Sequence, residues 1–128
     1  MQDPDINIPS VLAEVEAAFD EYERALVSND VPVLDRLFRD ADYTLRYGAG
    51  ENLYGYRAIR DFRAGRPADN LARTITARSI TTFGTGAAVA NIEFRRAGVA
   101  AIGRQSQTWI RFAEGWRVVA AHVSLMKG

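Results

Sequence analysis

Apolar positions recur every three or four residues at the start of the chain and every second residue towards its end. Val11, Val15, Phe19, Tyr22 and Leu26 form one stripe that predicts a helix over residues 11–27, with Ser10 as its N-cap. Glu14, Glu16, Glu21 and Arg24 lie on the solvated side. Ser28-Asn29 breaks the pattern, and Asp30 caps a second, short helix that tolerates Pro32 in its first turn and buries Val33, Leu34, Leu37 and Phe38. After the turn at 40–42, residues 43–47 read as a strand with Thr44 and Arg46 on one side, and residues 51–54 return beyond Gly48-Ala49-Gly50. Gly55 introduces a third helix, 56–66, with Ile59 and Phe62 inward. Residues 73–83 and 87–96 alternate as long strands joined at Gly84-Thr85-Gly86, with a slip near Ser79.

The last stretch, 103–124, reads as one β-hairpin. Taking Glu114-Gly115 as a two-residue turn sets Gln105 opposite Ser124, Gln107 opposite His122 and Trp109 opposite Ala120, all on one face. Arg104, Ser106, Ile110, Phe112, Val119 and Val123 then occupy the other face. A row of amides, an imidazole and a hydroxyl is costly to bury, because each unpaired group destabilises the fold by about 1–3 kcal/mol. That face is therefore expected to line a pocket.

Helices first and antiparallel strands after is an α+β order, in which a sheet can curl around the helices and leave one end of a cone open. Residues 1–9 form a short polar arm and residues 10–128 one domain, without repeats or linkers. At 128 residues the chain buries roughly two thirds of its unfolded surface. The 16 basic and 16 acidic residues cancel, which argues against nucleic acid and membrane surfaces as partners. Lys127 is the only lysine, so positive charge is carried by arginine. Either arginine's forked recognition of carboxylates or a genome rich in arginine codons accounts for this. With no cysteine and one histidine, no thiolate chemistry or histidine-based metal site is expected, and no cofactor. No signal pattern or bilayer-spanning run is present, so a cytoplasmic location is the simplest expectation.

Several segments carry a resemblance. Phe19-Asp20-Glu21-Tyr22-Glu23-Arg24-Ala25-Leu26 with Asn29-Asp30 resembles the AtzH-like family, which includes HpxZ-type proteins of oxalurate catabolism. So do Thr44-Leu45-Arg46-Tyr47-Gly48, Glu51-Asn52-Leu53-Tyr54-Gly55 and Phe62-Arg63-Ala64-Gly65-Arg66. Gly103-Arg104-Gln105-Ser106-Gln107-Thr108-Trp109 and Ala120-Ala121-His122-Val123-Ser124-Leu125-Met126 complete it, so the resemblance runs from about residue 8 to residue 126. It implies a SnoaL-like (nuclear transport factor 2-like, cystatin-like) cone. It also implies work on small, planar, nitrogen-rich carboxylates, as in deamination of 1,3-dicarboxyurea during cyanuric acid breakdown, or a step accompanying oxalurate degradation.

The residues fit that class. Arg46, inside a strand, is the natural carboxylate clamp, or else the partner of Glu51 across its hairpin. Tyr22 either points its hydroxyl into the cavity, to donate to an oxyanion or relay a proton, or is a core tyrosine. His122 is a candidate general base, or is simply held by Gln107. Gln105, Gln107 and Ser124 are orienting donors for urea-like groups or bond one another, and Trp109 floors the pocket or fills the core. A ketosteroid isomerase pairs its tyrosine with two aspartates. The strands from residue 73 onward contain Glu93 as their only internal acid, facing outward, which argues against that activity. The expected protein is a homodimer that hydrolyses a C–N bond with Tyr22, Arg46 and His122 as catalytic groups. The alternative is a non-catalytic ligand-binding or accessory protein associated with an amidase.

Overall fold

A computed structural model describes residues 1–127. The elements follow the expected order: α1 (Pro9–Val27), α2 (Val31–Leu37), β1 (Leu45–Tyr47), β2 (Asn52–Tyr54), α3 (Tyr56–Gly65), β3 (Thr74–Phe83), β4 (Ala87–Arg95), β5 (Ile102–Phe112) and β6 (Gly115–Met126). The six strands form one sheet in the order β2-β1-β6-β5-β4-β3. All neighbours are antiparallel except β1 and β6, which run parallel. The sheet is therefore mixed, since β1 comes from the helical half of the chain and joins the last strand of the meander. The helices cover its inner face, α1 against β3, α2 against β6, and α3 against β1 and β2.

The α1 stripe is buried as expected: Val11, Val15, Phe19, Tyr22 and Leu26 pack with Leu34, Leu37, Phe38 and the inward residues of β4 to β6. Helix α1 begins earlier than its stripe suggests, with Pro9 in the first turn and Ile8 at the N-cap, so Ser10 does not cap it. Asp30 does cap α2, accepting from the Val33 amide at 3.4 Å.

The arm at residues 1–9 does more than lie on the surface. Ile6 bridges Phe83, the Asn7 amide donates to the Thr82 carbonyl at 3.0 Å, and the Thr82 amide donates to Asn7 Oδ1 at 2.8 Å. The arm thus covers part of the free edge of β3, where unpaired backbone groups would invite association.

Two local departures matter for the site. In α3 the inward residues are Ile59 and Arg63, one turn apart, whereas Phe62 is exposed. The irregularity in β3 falls between Ile75 and Ala77 instead of near Ser79, and leaves Arg78 over α1, bonded to Asp20.

Candidate functional site

The hairpin turns at Ala113-Glu114, where Phe112 pairs with Gly115. Down to Trp109↔Val118 its two arms keep the faces expected from sequence. Between Thr108↔Ala120 and Trp109↔Val118 the register shifts, leaving Val119 as an extra residue in β6. A single extra residue turns every later side chain to the other face of the sheet. Ala121 and Val123 consequently face inward opposite Gln107 and Gln105, and His122 and Ser124 face outward beside Ser106 and Arg104. His122 is exposed and packs edge-on against Tyr47 at 5.5 Å. These two residues therefore leave the interior set, and Val123 leaves the outer one.

Arg46, Gln105, Gln107 and Trp109 are on the inner face of the sheet, and Tyr22 lies in the core from α1. Tyr22 is nearly inaccessible, its ring 6.3 Å from those of Phe19 and Phe38. Arg46 pairs with Ala121 in register and donates through Nη1 to Glu51 Oε1 at 2.9 Å. The cross-hairpin ion pair and the inward placement thus coexist. Gly48 makes room for this pair, because a Cβ there would stand 1.9 Å from Glu51 Oε1. Trp109 is fully buried and donates Nε1 to Gln107 Oε1 at 3.1 Å, so it fills the core while touching a polar group.

Arg63, Arg66, Arg73 and Arg96 complete a set that sequence reasoning did not assemble. Arg63 donates to Asp35 Oδ1 at 2.7 Å. Arg73 makes a forked pair with Glu23, at 2.9 and 2.7 Å, and also donates to Gln105 Oε1 at 3.2 Å. Both Arg73 and Arg96 stack on the Phe94 ring, at 4.4 and 4.9 Å from its centroid. That ring lies flat over Gly103, its cross-strand partner; a Cβ on Gly103 would meet it at 2.2 Å. Phe94 is thus a platform for two guanidiniums, and the missing side chain of Gly103 lets it lie there.

The charges do not balance. Arg46, Arg63 and Arg73 each have a carboxylate, but Arg66 and Arg96 pair with none among the described residues. Arg66 Nε and Nη2 and Arg96 Nε are buried without a hydrogen-bond partner. Burial, followed by the nearby Arg63 guanidinium, lowers the pKa of Arg66 below the ordinary arginine value. Burial and then Arg73 do the same to Arg96. The Glu23 carboxylate acts in the opposite sense on Arg96, and the Tyr22 phenol lies close enough to both guanidiniums to do so as well. Tyr22 thus lies near two guanidiniums that make no direct ion pair among the described residues.

Some of this was within reach. Arg63 falls four residues after Ile59, at helical spacing, so the α3 stripe could have been drawn through it in place of Phe62. Arg66 and Arg96 follow α3 and β4 in separate loops, and only the folded chain brings them near each other. No group of three or more His, Asp or Glu gathers in metal-binding geometry among the described residues.

Comparison with known proteins agrees with this architecture. A structure of a protein of unknown function from Pectobacterium atrosepticum matches over 99% of both chains, with 56% identity and a TM-score of 0.98. A cystatin-like fold protein from Burkholderia xenovorans matches over 96% of this chain and 97% of its own, with 43% identity and a TM-score of 0.93. A nuclear transport factor 2-like protein from Salmonella enterica shares the fold at 21% identity, with a TM-score of 0.75 over 93% of both chains. No curated protein matches the chain. The AtzH-like family model covers residues 4–128, and the chain belongs to the AtzH-like family.

Proposed function

We propose that the interior binds a small dianion of the N-carboxylated urea type, such as 1,3-dicarboxyurea, and hydrolyses one of its C–N bonds, a step suited to cyanuric acid or oxalurate catabolism. The observation that carries this reading is the pair Arg66 and Arg96, two partly buried guanidiniums with unpartnered nitrogens and no direct ion pair to a carboxylate. Buried charge is tolerated when it is paired, and a ligand with two carboxylates supplies both missing partners. Arginine suits the task because its fork matches a carboxylate. The Tyr22 hydroxyl, bordering both cations, is the group to donate to the oxyanion that forms when water adds to the carbonyl. The proton given up by the attacking water passes to the nitrogen as the C–N bond breaks, and the carbamate set free loses CO2 to give the ammonia that is measured. His122, exposed on the outer face, takes no part inside.

The test is ammonia release from dicarboxyurea, carboxybiuret, allophanate and oxalurate, with calorimetric binding of the same compounds. Release from a dianionic member, lost in Arg66→Gln and in Arg96→Gln, is expected. Tight binding without release would move the protein to the accessory role beside an amidase. Absence of both would end the reading.

A further inference from the structure

Two side-chain amides on β5 are held in one orientation each. Gln107 Oε1 accepts from Trp109 Nε1, and Gln105 Oε1 accepts from Arg73 Nη2. Indole and guanidinium nitrogens can only donate, so the end of each amide that they touch must be its oxygen. This leaves the two NH2 groups as the free ends. Both are buried, and neither Gln105 Nε2 nor Gln107 Nε2 has a partner. The two residues are 2% and 1% exposed. They stand two apart on one strand, so both point to the same side of the sheet, towards the helices. An unpaired buried donor is destabilising, and two on one stretch of strand, each with its oxygen engaged, make a poor choice for stability alone.

We propose that the NH2 groups of Gln105 and Gln107 are a donor pair for a carbonyl oxygen between the two carboxylates of the ligand, so that the site selects dianions with a central carbonyl over those without one. This rests on the dianion reading above and deepens it, by naming the side chains that recognise the carbonyl between the charges. Arg66 and Arg96 answer the ends of the ligand, and the amide pair answers its middle. Arg73 binds Glu23, stacks on Phe94 beside Arg96 and donates to Gln105, so Gln105 is tied to the arginine set through one side chain. Trp109 is a positioning residue, because its N–H is what stops the Gln107 amide from turning over.

The experiment compares 3-oxoglutarate with glutarate by calorimetry, two dicarboxylates of equal length and charge that differ in the central carbonyl. The wild-type protein should bind 3-oxoglutarate at least about tenfold more tightly, as expected when buried donors are left unpaired by the poorer ligand. Gln105→Met and Gln107→Met keep the side-chain volume, and each should erase most of that preference while glutarate affinity stays within about threefold. Trp109→Phe should lower the preference likewise, by freeing the Gln107 amide. Arg66→Gln should weaken both ligands alike. Equal wild-type affinities, or a preference that survives both methionine variants, overturns the donor pair but leaves the dianion site standing. Failure of both ligands to bind overturns the two together.

Discussion

Arg63 Nη1 donates to Asp35 Oδ1 at 2.7 Å, whereas Arg66, three residues further on, meets no carboxylate. The first contact ties α3 to α2, and the Arg63 guanidinium also stacks on Phe38, 4.8 Å from its ring centroid. Arg63→Met should lower stability by about 3 kcal/mol, because it leaves Asp35 half-buried and alone and removes the stacked group. Urea denaturation measures this. A loss below about 1 kcal/mol would class the pair with ordinary surface bridges.

The unpaired guanidiniums should behave in the opposite way. A base whose pKa is lowered by folding opposes folding while it is charged. That penalty is complete at neutral pH and is lifted only as pH climbs from the lowered value towards the unfolded one. Arg66→Met and Arg96→Met should therefore melt at or above the wild-type temperature at pH 7 without ligand. A dianion at a hundred times its Kd should stabilise the wild type by about 2.7 kcal/mol and the variants much less. Scanning calorimetry with and without ligand shows both effects. Variants that melt well below the wild type would make these arginines structural.

Gly103→Ala should cost about 1–3 kcal/mol through overpacking, since the new methyl group falls within the Phe94 ring. The displaced ring carries Arg73 and Arg96 with it, so dianion affinity should fall by at least about tenfold although no charged residue has changed. Melting and calorimetric binding on the same sample separate the two losses. Unchanged binding would show that the platform is not needed.

The features legible in the sequence were those set by local periodicity. The stripe from Val11 to Leu26 has one buried face under any packing, and the order of elements follows from turns at Gly48-Ala49-Gly50 and Gly84-Thr85-Gly86. The orientation of His122 was not legible. Val118, Val119, Ala120 and Ala121 are all small and apolar, so nothing in their pattern marks which one is the extra residue. Phe62 and Arg63 misled for another reason: hydrophobicity favours the phenylalanine as the inward residue, but Asp35 and the Phe38 ring make a place for the arginine. The inward placement of Arg46 and Tyr22 is legible because each lies within an element. Arg66 and Arg96 lie beyond the ends of theirs.

The outer face of the sheet should pair two copies of the chain. Tyr47 packs edge-on between Tyr54 and His122, and Ile110 and Phe112 extend the same face along β5. An isologous pairing would cover these rings. Sedimentation should show a dimer at micromolar concentration, and His122→Asp should weaken it while leaving dianion binding intact. A stable wild-type monomer would end this proposal, and loss of ligand binding in His122→Asp would return the histidine to the site.

Tyr22→Phe separates a packing role from a chemical one. The ring stays between Phe19 and Phe38, so the α1 stripe should survive. If the hydroxyl serves only as a buried polar group, stability should change by about 1–2 kcal/mol and ammonia release very little. If it donates to the oxyanion formed in the transition state, the rate should fall by about a hundredfold or more. Affinity for the intact dianion should then hold, because in the proposed site Arg66 and Arg96 take its ends and the phenol acts mainly at the barrier. We expect the second pattern, from the position of the phenol beside two guanidiniums with unpartnered nitrogens. Rate, binding and melting temperature on one preparation decide it. An active but destabilised variant would remove Tyr22 from the chemistry.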